Sequence, residues 1–286
     1  MVFKKITGKI FKKSATSLAG HGIGNNKAVS SVFNYLKSNL KTDFVEIDGN
    51  KIFLDKNDSL CLSINGIYEE FETNLIKKEI HSGDVVVDIG ANIGYYTLLF
   101  AKLVGEKGKV FAFEPDPTNF ELLKKNVEIN DYKNVILEQK ALSDSHGKMM
   151  LSLNSENTAG HHLNFKQENI DNSIEVDVLN FDQYFAKRKL DINFIKMDVE
   201  GAESNVIKGM TNTIKNSHNL KMIVEYNPNA IHQMGLHPET FLDLLSDCGF
   251  SINDINERTK TIEKTSKDTL LKKYDKLYTN LLCQKS

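Results

Sequence analysis

Two acids stand out because each closes a short apolar run at a spacing that chemistry can use. Val85-Val-Val-Asp88 leads into Ile-Gly-Ala-Asn-Ile-Gly94, so Asp88, Gly90, Asn92 and Gly94 share one strand-to-helix turn. Glycines there let the backbone turn sharply and let a ligand approach main-chain atoms with no Cβ in the way. The spacing is G-x-x-x-G, not the dinucleotide pattern G-x-G-x-x-G. An acid at the strand end would also face a pyrophosphate with like charge, so a cationic ligand suits this turn better. Glu114, twenty residues after Gly94, ends the next apolar run, Lys109-Val-Phe-Ala-Phe. A carboxylate in that position can accept both hydrogen bonds of a ribose diol.

A second set of acids lies further on, in Lys196-Met-Asp-Val-Glu-Gly-Ala-Glu203 and at Glu225. Asp198 and Glu225 each end a strand, where two carboxylates can act as a general base, hold a cation or raise each other's pKa. Glu200 and Glu203 fall in a first helical turn, which the helix dipole favours without any chemistry. His161 and His162 sit in a polar loop over residues 154–164. Imidazole titrates near neutrality, so either could serve as a base, although a solvated loop explains them more simply. His232 and His237 are five apart, which is not a helical metal-ligand pair. Asp198 and Glu225 could carry Mg²⁺, but two carboxylates do not make a metal site, and none is assigned.

These residues need elements to position them. Phe44-Val-Glu-Ile and Lys51-Ile-Phe-Leu flank Asp48-Gly49-Asn50, a hairpin signal, after a helix with Val29, Phe33, Leu36 and Leu40 on one face. The glycine-rich residues 20–24 follow no strand and read as a turn. From residue 84 strands alternate with helices: 84–88, 109–114, 135–137, 193–198 and 220–225 are strands. Pro117 opens one of the helices between them, and Val206, Ile207, Met210 and Ile214 line another. Such alternation means a doubly wound, mostly parallel α/β sheet, with ligands bound outside the carboxyl ends of its strands. Residues 250–255 and 277–283 are strand-like and could pair antiparallel at one edge.

Composition narrows the classes. The 286 residues carry a net charge of −2, which makes no global field for nucleic acid. Residues 1–13 hold five lysines and no acid, whereas residues 14–250 hold 23 bases against 33 acids, which disfavours a phosphate-rich substrate. Phe3, Ile6 and Ile10 could share one face of a short basic helix and touch a membrane weakly; a solvated terminus is the simpler reading. No apolar run approaches a membrane span, and the start lacks the apolar core of a secretory signal. Three widely spaced cysteines fit a reducing, cytoplasmic setting.

The run from Val85 to Thr97, then Ala112-Phe-Glu-Pro-Asp-Pro117, then Ala141-Leu-Ser-Asp, then Phe194 to Glu203 resembles the FkbM family of S-adenosylmethionine-dependent methyltransferases. The likeness extends over roughly residues 65–285. It implies a Rossmann-like, seven-stranded class I methyltransferase sheet, its last strand antiparallel, over residues 66–286. Residues 1–65 are then an N-terminal extension of basic tail, helix and hairpin. By the same resemblance the turn from Asp88 to Gly94, Asn92 included, would hold the amino and carboxylate groups of S-adenosyl-L-methionine. Glu114, followed by Pro115, would take the ribose hydroxyls, and Ala141 or Leu142 would lie against adenine. The implied acceptor is a hydroxyl on a sugar, glycolipid or natural product, with Asp198 first in line as its base and Glu225 or His162 behind. Gly160-His161-His162 departs from the small polar residues that relatives usually carry there. A nicotinamide-dependent oxidoreductase on the same sheet is the alternative enzyme, disfavoured by the missing fingerprint. A non-catalytic binding protein is the other, disfavoured by the intact set Asp88, Gly90, Gly94, Glu114 and Asp198.

Overall fold

The computed structural model describes residues 42–154, 161–164, 172–188, 190–217, 219–275 and 277–285. The basic segment, the glycine-rich residues 20–24 and the helix expected over residues 29–40 lie outside the described residues. The chain divides into two compact units, Met1–Tyr68 and Glu69–Ser286. In the first, β1 (Phe44–Ile47) and β2 (Asn50–Phe53) form an antiparallel hairpin with Phe44 opposite Phe53. Asp48 and Gly49 take φ of 50° and 80°, the backbone that a two-residue turn between right-twisted strands requires. Helix α1 (Leu62–Asn65) follows, its first N–H donated to Asp58 at 2.8 Å.

The second unit opens with α2 (Glu70–Glu79) and runs β3 (Val85–Ile89), α3 (Tyr95–Val104), β4 (Lys109–Phe113), α4 (Pro117–Ile129) and β5 (Val135–Glu138). Four short strands come next: β6 (Ala141–Ser143), β7 (Gly147–Ser152), β8 (His162–Asn164) and β9 (Ser173–Asn180). Then follow α5 (Phe181–Phe185), β10 (Phe194–Met197), α6 (Glu203–Gly209), α7 (Thr211–Asn216) and β11 (Lys221–Tyr226). The chain ends with α8 (Pro228–Gln233), α9 (Pro238–Asp247), β12 (Phe250–Asn256), β13 (Thr261–Lys264), α10 (Lys267–Lys273) and β14 (Thr279–Lys285).

The main sheet has the order β13-β12-β14-β11-β10-β3-β4-β5. Strands β5, β4, β3, β10 and β11 are parallel and nearly continuous in apolar residues, as burial on both faces demands. The seven strands that the resemblance implies are β5 through β12 of this order, with β14 antiparallel to both neighbours. An eighth strand, β13, lies outside β12, so the pair read at 250–255 and 277–283 forms but does not end the sheet. The edge it makes is exposed and carries Glu263 and Lys264, charges that discourage pairing with another chain. Strand order reverses between β3 and β10, and the carboxyl ends of these two strands define the crevice.

A separate four-stranded sheet, β6-β9-β7-β8, fills the chain between β5 and β10. Its strands are not among those expected from the sequence, although Ile174, Val176 and Val178 alternate with Glu175 and Asp177 in a plain period of two. Its inner face (Ala141, Leu151, Leu163, Val176 and Val178) packs on Ala202 and Met234. The helix expected through Val206, Ile207, Met210 and Ile214 is two short helices that meet at Met210, with all four side chains fully buried.

Gly209 sets how closely α6 approaches β6. A Cβ there would lie 2.1 Å from the main-chain oxygen of Ser143, with backbone on both sides of the contact. Gly209→Ala must therefore push β6, and the Ala141-Leu142 wall it carries, away from the helix. Overpacking of this kind costs about 1–3 kcal/mol. Thermal melting should show a Tm lower by several degrees, and an unchanged Tm would mean that the two elements separate freely.

Candidate active site

The turns after β3 and β4 build one wall of a cleft together. Gly90 and Ala91 both donate to the Phe113 carbonyl at 3.0 Å, locking the two strand ends side by side. Asn92 has φ of 51°, and its Oδ1 accepts from the Ile93 N–H at 2.7 Å, which shapes the turn locally. In that conformation the Asn92 N–H points at Glu114 and donates to Oε2 at 2.8 Å. The Asp116 N–H donates to Oε1 at 3.0 Å. Each oxygen of Glu114 thus has one main-chain donor and lone pairs to spare on the cleft. Burial pushes this carboxyl up to about 7 despite the two donors.

The cleft is lined by Gly90, Asn92, Glu114, Pro115, Ala141, Leu142 and Asp198 among others. Seven of the residues singled out in the sequence therefore meet there. Ala141 and Leu142 are buried and, with Leu151 and Leu163 of the small sheet, make an apolar wall. Asp88 is not on the lining. It turns into the protein and accepts from Thr97 Oγ1 of α3 at 2.5 Å, and burial lifts it to about 6. Gly94 starts α3 with φ of 93°, and a Cβ there would meet the Leu123 side chain at 2.7 Å.

Gly90 is needed for a reason that the sequence does not reveal. A Cβ on it would stand 1.9 Å from the carbonyl oxygen of Asp198. The Asp198 N–H donates in turn to the Ile89 carbonyl at 3.0 Å. The carboxyl ends of β3 and β10 are thus in backbone contact, and a side chain at position 90 would separate them before it met any ligand.

Asp198 follows β10 and lines the cleft, its side chain 31% exposed. The turn after it is tight: Glu200 adopts φ of 52° and Gly201 φ of 99°. Glu203, fully buried in the first turn of α6, accepts from the N–H groups of Val199 and Gly201 at 3.2 Å each. It therefore holds the turn from behind, and burial pushes it up to about 7. Burial, with Asp198 and Glu203 nearby, lifts Glu200 to about 8.

Beneath Asp198 lies Lys196, 1% exposed and in the middle of the sheet opposite Asp88 and Ile223. Its Nζ is 3.4 Å from Glu72 of α2, 4.0 Å from Asp198 and 5.3 Å from the centre of the Tyr96 ring. Burial works against its charge, but Glu72, Asp198, Glu69 and Glu225 outweigh it and hold the ammonium on. Glu72 is itself fully buried, and burial lifts it to about 8 even beside Lys196. The N-terminus of α2 is fixed by Glu257, which accepts from the Phe71 and Glu72 N–H groups. Glu225, the last residue but one of β11, is buried, with Oε2 lacking a hydrogen-bond partner, and burial and then Asp198 raise it well above the usual carboxylate range. Among the described residues no group of three or more His, Cys, Asp and Glu is arranged to hold a metal ion.

The histidines separate by strand parity. His161 lines the cleft and accepts the Asn154 N–H on Nδ1 at 2.9 Å, so its neutral ring carries the proton on Nε2, 4.0 Å from Asp116. His162 is the next residue along and is absent from that lining, whereas Leu163 returns to it. Lys196, Glu69 and Glu72 received no role in the sequence. A lysine inside the otherwise apolar Phe194-Ile-Lys-Met was the available signal, because a buried ammonium requires carboxylates around it.

Comparison with known proteins adds the context. Residues 88–252 match the family described as the methyltransferase FkbM domain. Hexuronic acid methyltransferase AglP of Haloferax volcanii is 30% identical over 184 residues, covering 64% of this chain and 70% of that protein. The 2-O-methyltransferase NoeI of Sinorhizobium fredii is 28% identical, covering 56% of this chain and 70% of that protein. The 31-O-demethyl-FK506 methyltransferase FkbM of Streptomyces tacrolimicus is 30% identical, covering 46% of this chain and 61% of that protein.

The raised carboxyls make stability depend on pH with a definite sign. Asp88 at about 6, Glu114 and Glu203 at about 7, and Glu72 and Glu200 at about 8 keep protons that the unfolded chain releases near its ordinary carboxylate values. The folded state then binds more protons than the unfolded state between about pH 4 and 8, so stability falls as pH rises through that window. Tm should drop steadily between about pH 5.5 and 8.5. A Tm that rises over this interval would mean that these groups are ionised in the folded protein.

Proposed function

The chain belongs to the FkbM family of S-adenosylmethionine-dependent methyltransferases, and on that premise we propose that the cleft binds S-adenosylmethionine and methylates a hydroxyl of a sugar-type or natural-product acceptor. The observation that carries this reading is Glu114, both of whose oxygens are held by main-chain N–H groups at the cleft wall. A carboxylate so fixed offers its remaining lone pairs to a ribose diol without having to reorganise. The residues fit the rest of that cofactor as well. Ala141, Leu142, Leu151 and Leu163 offer an apolar wall to a flat base, and Gly90 and Asn92 line the cleft where the methionine end would lie. When bound, the cofactor supplies an electrophilic sulfonium methyl, whose transfer leaves the electron pair on sulfur. A nicotinamide dinucleotide fits less well, because its pyrophosphate would lie close to Asp198 and Glu200.

The chain's own residues then have separate tasks. Glu114 and the turn before it orient the donor, and alignment supplies most of the catalysis in an in-line displacement. Asp198, on the cleft and partly exposed, receives the proton of the acceptor hydroxyl. Lys196 beneath it keeps the carboxylate in place. Glu225 lies behind Asp198 and is the second choice of base. His161 is a poor one, since its Nδ1 is already taken by a main-chain donor. The relatives named for hexuronic acid, for 2-O and for 31-O-demethyl-FK506 methylation support a hydroxyl acceptor.

Two variants test the assignment. Glu114→Ala should weaken S-adenosylhomocysteine by about 1.5–3 kcal/mol in calorimetry, the scale of hydrogen bonds to a charged group. Unchanged affinity in a folded variant would remove Glu114 from the site. Asp198→Asn, nearly isosteric but unable to take the proton, should keep cofactor affinity within a few-fold and lower turnover by roughly 10²-fold or more. Lost cofactor affinity would make Asp198 a cofactor ligand, and full activity would move the base to Glu225.

A further inference from the structure

On the side of Asp198 away from Glu114, the carboxyl edge of the sheet carries acids that the cofactor cleft leaves unused. Strand pairing puts Glu225 of β11 opposite Asn280 of β14. The Asn280 amide donates to Glu69 at 3.1 Å, and the Tyr96 hydroxyl donates to the other oxygen of Glu69 at 2.8 Å. Glu200 joins them from the turn after β10, and Asp198 stands between the two regions. Lys196 is the cation facing this group, yet its nearest partner is Glu72, deeper in the protein. Glu69, Asp198 and Glu225 thus share one ammonium that already has a closer partner, and Glu200 adds a fourth carboxyl beside Asp198.

Two observations beyond the number of acids point to a ligand: an unpartnered buried oxygen and an exposed aromatic ring. Glu225, which strand register places beside Asp198, is 8% exposed, and its Oε2 has no hydrogen-bond partner. Leaving a buried carboxyl oxygen unsatisfied is costly, which favours a donor arriving from outside. Tyr278 presents an aromatic ring, 61% exposed, close enough to Glu69, Glu225, Asp198 and Glu200 to feel their charge. Its backbone is fixed by the next residue, whose Thr279 Oγ1 donates to buried Asp254 at 2.8 Å. Exposed aromatic faces pack against the C–H faces of sugar rings and attract cations.

We propose that these residues form the acceptor subsite and that it takes an amino sugar, with a hydroxyl at Asp198, the ammonium toward Glu225 and Glu69, and the ring against Tyr278. This rests on the reading of the neighbouring cleft as the methyl-donor site. The ammonium supplies the hydrogen-bond donors that Glu225 Oε2 lacks and the positive charge that Lys196 cannot share. A uronic acid in the same place would bring an acceptor-only carboxylate where Glu225 Oε2 lacks a donor, and set it against Asp198, so the acceptor class differs from that of the hexuronic acid relative.

The test is calorimetry on the full chain saturated with S-adenosylhomocysteine, at neutral pH and low salt, using methyl glucosaminide, methyl glucoside and methyl glucuronide as probes. The glucosaminide should bind at least tenfold more tightly than the glucoside, and the glucuronide should not bind. Glu225→Gln should close most of that gap with S-adenosylhomocysteine affinity kept, and Glu69→Gln reads the same gap if the first variant does not fold. Glu175→Gln, on the exposed face of the small sheet, should leave the gap intact. Equal binding, no binding of any probe, or preference for the glucuronide overturns the proposal. So does a gap that closes equally in Glu175→Gln, which would assign it to the general field. Weaker S-adenosylhomocysteine binding in Glu225→Gln also overturns it, because the acids would then serve the cofactor's own ammonium. If S-adenosylhomocysteine fails to bind the unaltered chain, the donor-site reading fails first, and that result is distinct from all the others.

Discussion

One buried ammonium governs the carboxyl edge of the main sheet. Lys196 lies in the central strand β10 with 1% exposure, where an uncompensated charge would cost several kcal/mol. Its partners come from distant points in the sequence: Glu72 on α2 at 3.4 Å, Asp198 at 4.0 Å, and the Tyr96 ring of α3. Each of these must be in place for the lysine to be tolerated, so the charge acts as a constraint on folding. Helix α2 has to lie over β10, α3 has to present Tyr96, and the chain after β10 has to turn so that Asp198 returns toward the ammonium. The residue with the most exposed carboxylate in this group, Asp198, is therefore positioned by the least exposed cation.

The second constraint is steric and acts at the backbone. Strands β3 and β10 come so close at their carboxyl ends that only a hydrogen fits between Gly90 and the Asp198 carbonyl. Because β4 is tied to the same turn through the Phe113 carbonyl, three strand ends move as one body. Glu114 on one side and Asp198 on the other are then held at a fixed separation without any side-chain contact between them. That suits a reaction whose rate depends on aligning a donor, oriented from one side, with an acceptor oxygen on the other. Glu203 completes the arrangement by accepting from both Val199 and Gly201, which holds a turn whose residues Glu200 and Gly201 take left-handed φ.

What could be read in the sequence follows from how local each signal is. Glu114, the Asp88–Gly94 turn and the parallel core announce themselves because an apolar run with an acid at its end is a local pattern. The small sheet was missed because β6 and β8 are three residues each, too short for alternation to register. Its longest strand, β9, does alternate, but it sits in a polar stretch that gives no hint of burial on one face. Parity explains the histidines: a shift of one residue changes which face of a strand a side chain occupies, and sequence alone did not fix the register of β8. Asp88 resembled a ligand by position, yet its partner is Thr97, nine residues on and one helical turn into α3. Lys196 was visible as a lysine but not as a site, since its partners at 69, 72 and 225 are linked to it only through the fold.

The burial of the acids also bears on how a single sheet edge can serve a cationic donor without collapsing under its own charge. Six carboxyls (Glu69, Glu72, Asp198, Glu200, Glu203 and Glu225) crowd the region around β10, with Lys196 as the cation among them. Were all ionised in a low-dielectric setting, their repulsion would be prohibitive. Burial resolves the conflict for most of them by favouring the neutral form: Glu72 and Glu200 rise to about 8, Glu203 to about 7, and Glu69 and Glu225 rise as well. The edge can therefore remain folded with these five glutamic acids favoured in the neutral form and gain negative charge when a cation arrives, releasing protons as it does so. A positively charged ligand is then bound against a field that it helps to create, whereas an anionic ligand finds either neutral acids or repulsion. The burial that makes so many acids tolerable at one edge thus gives that edge a preference of sign.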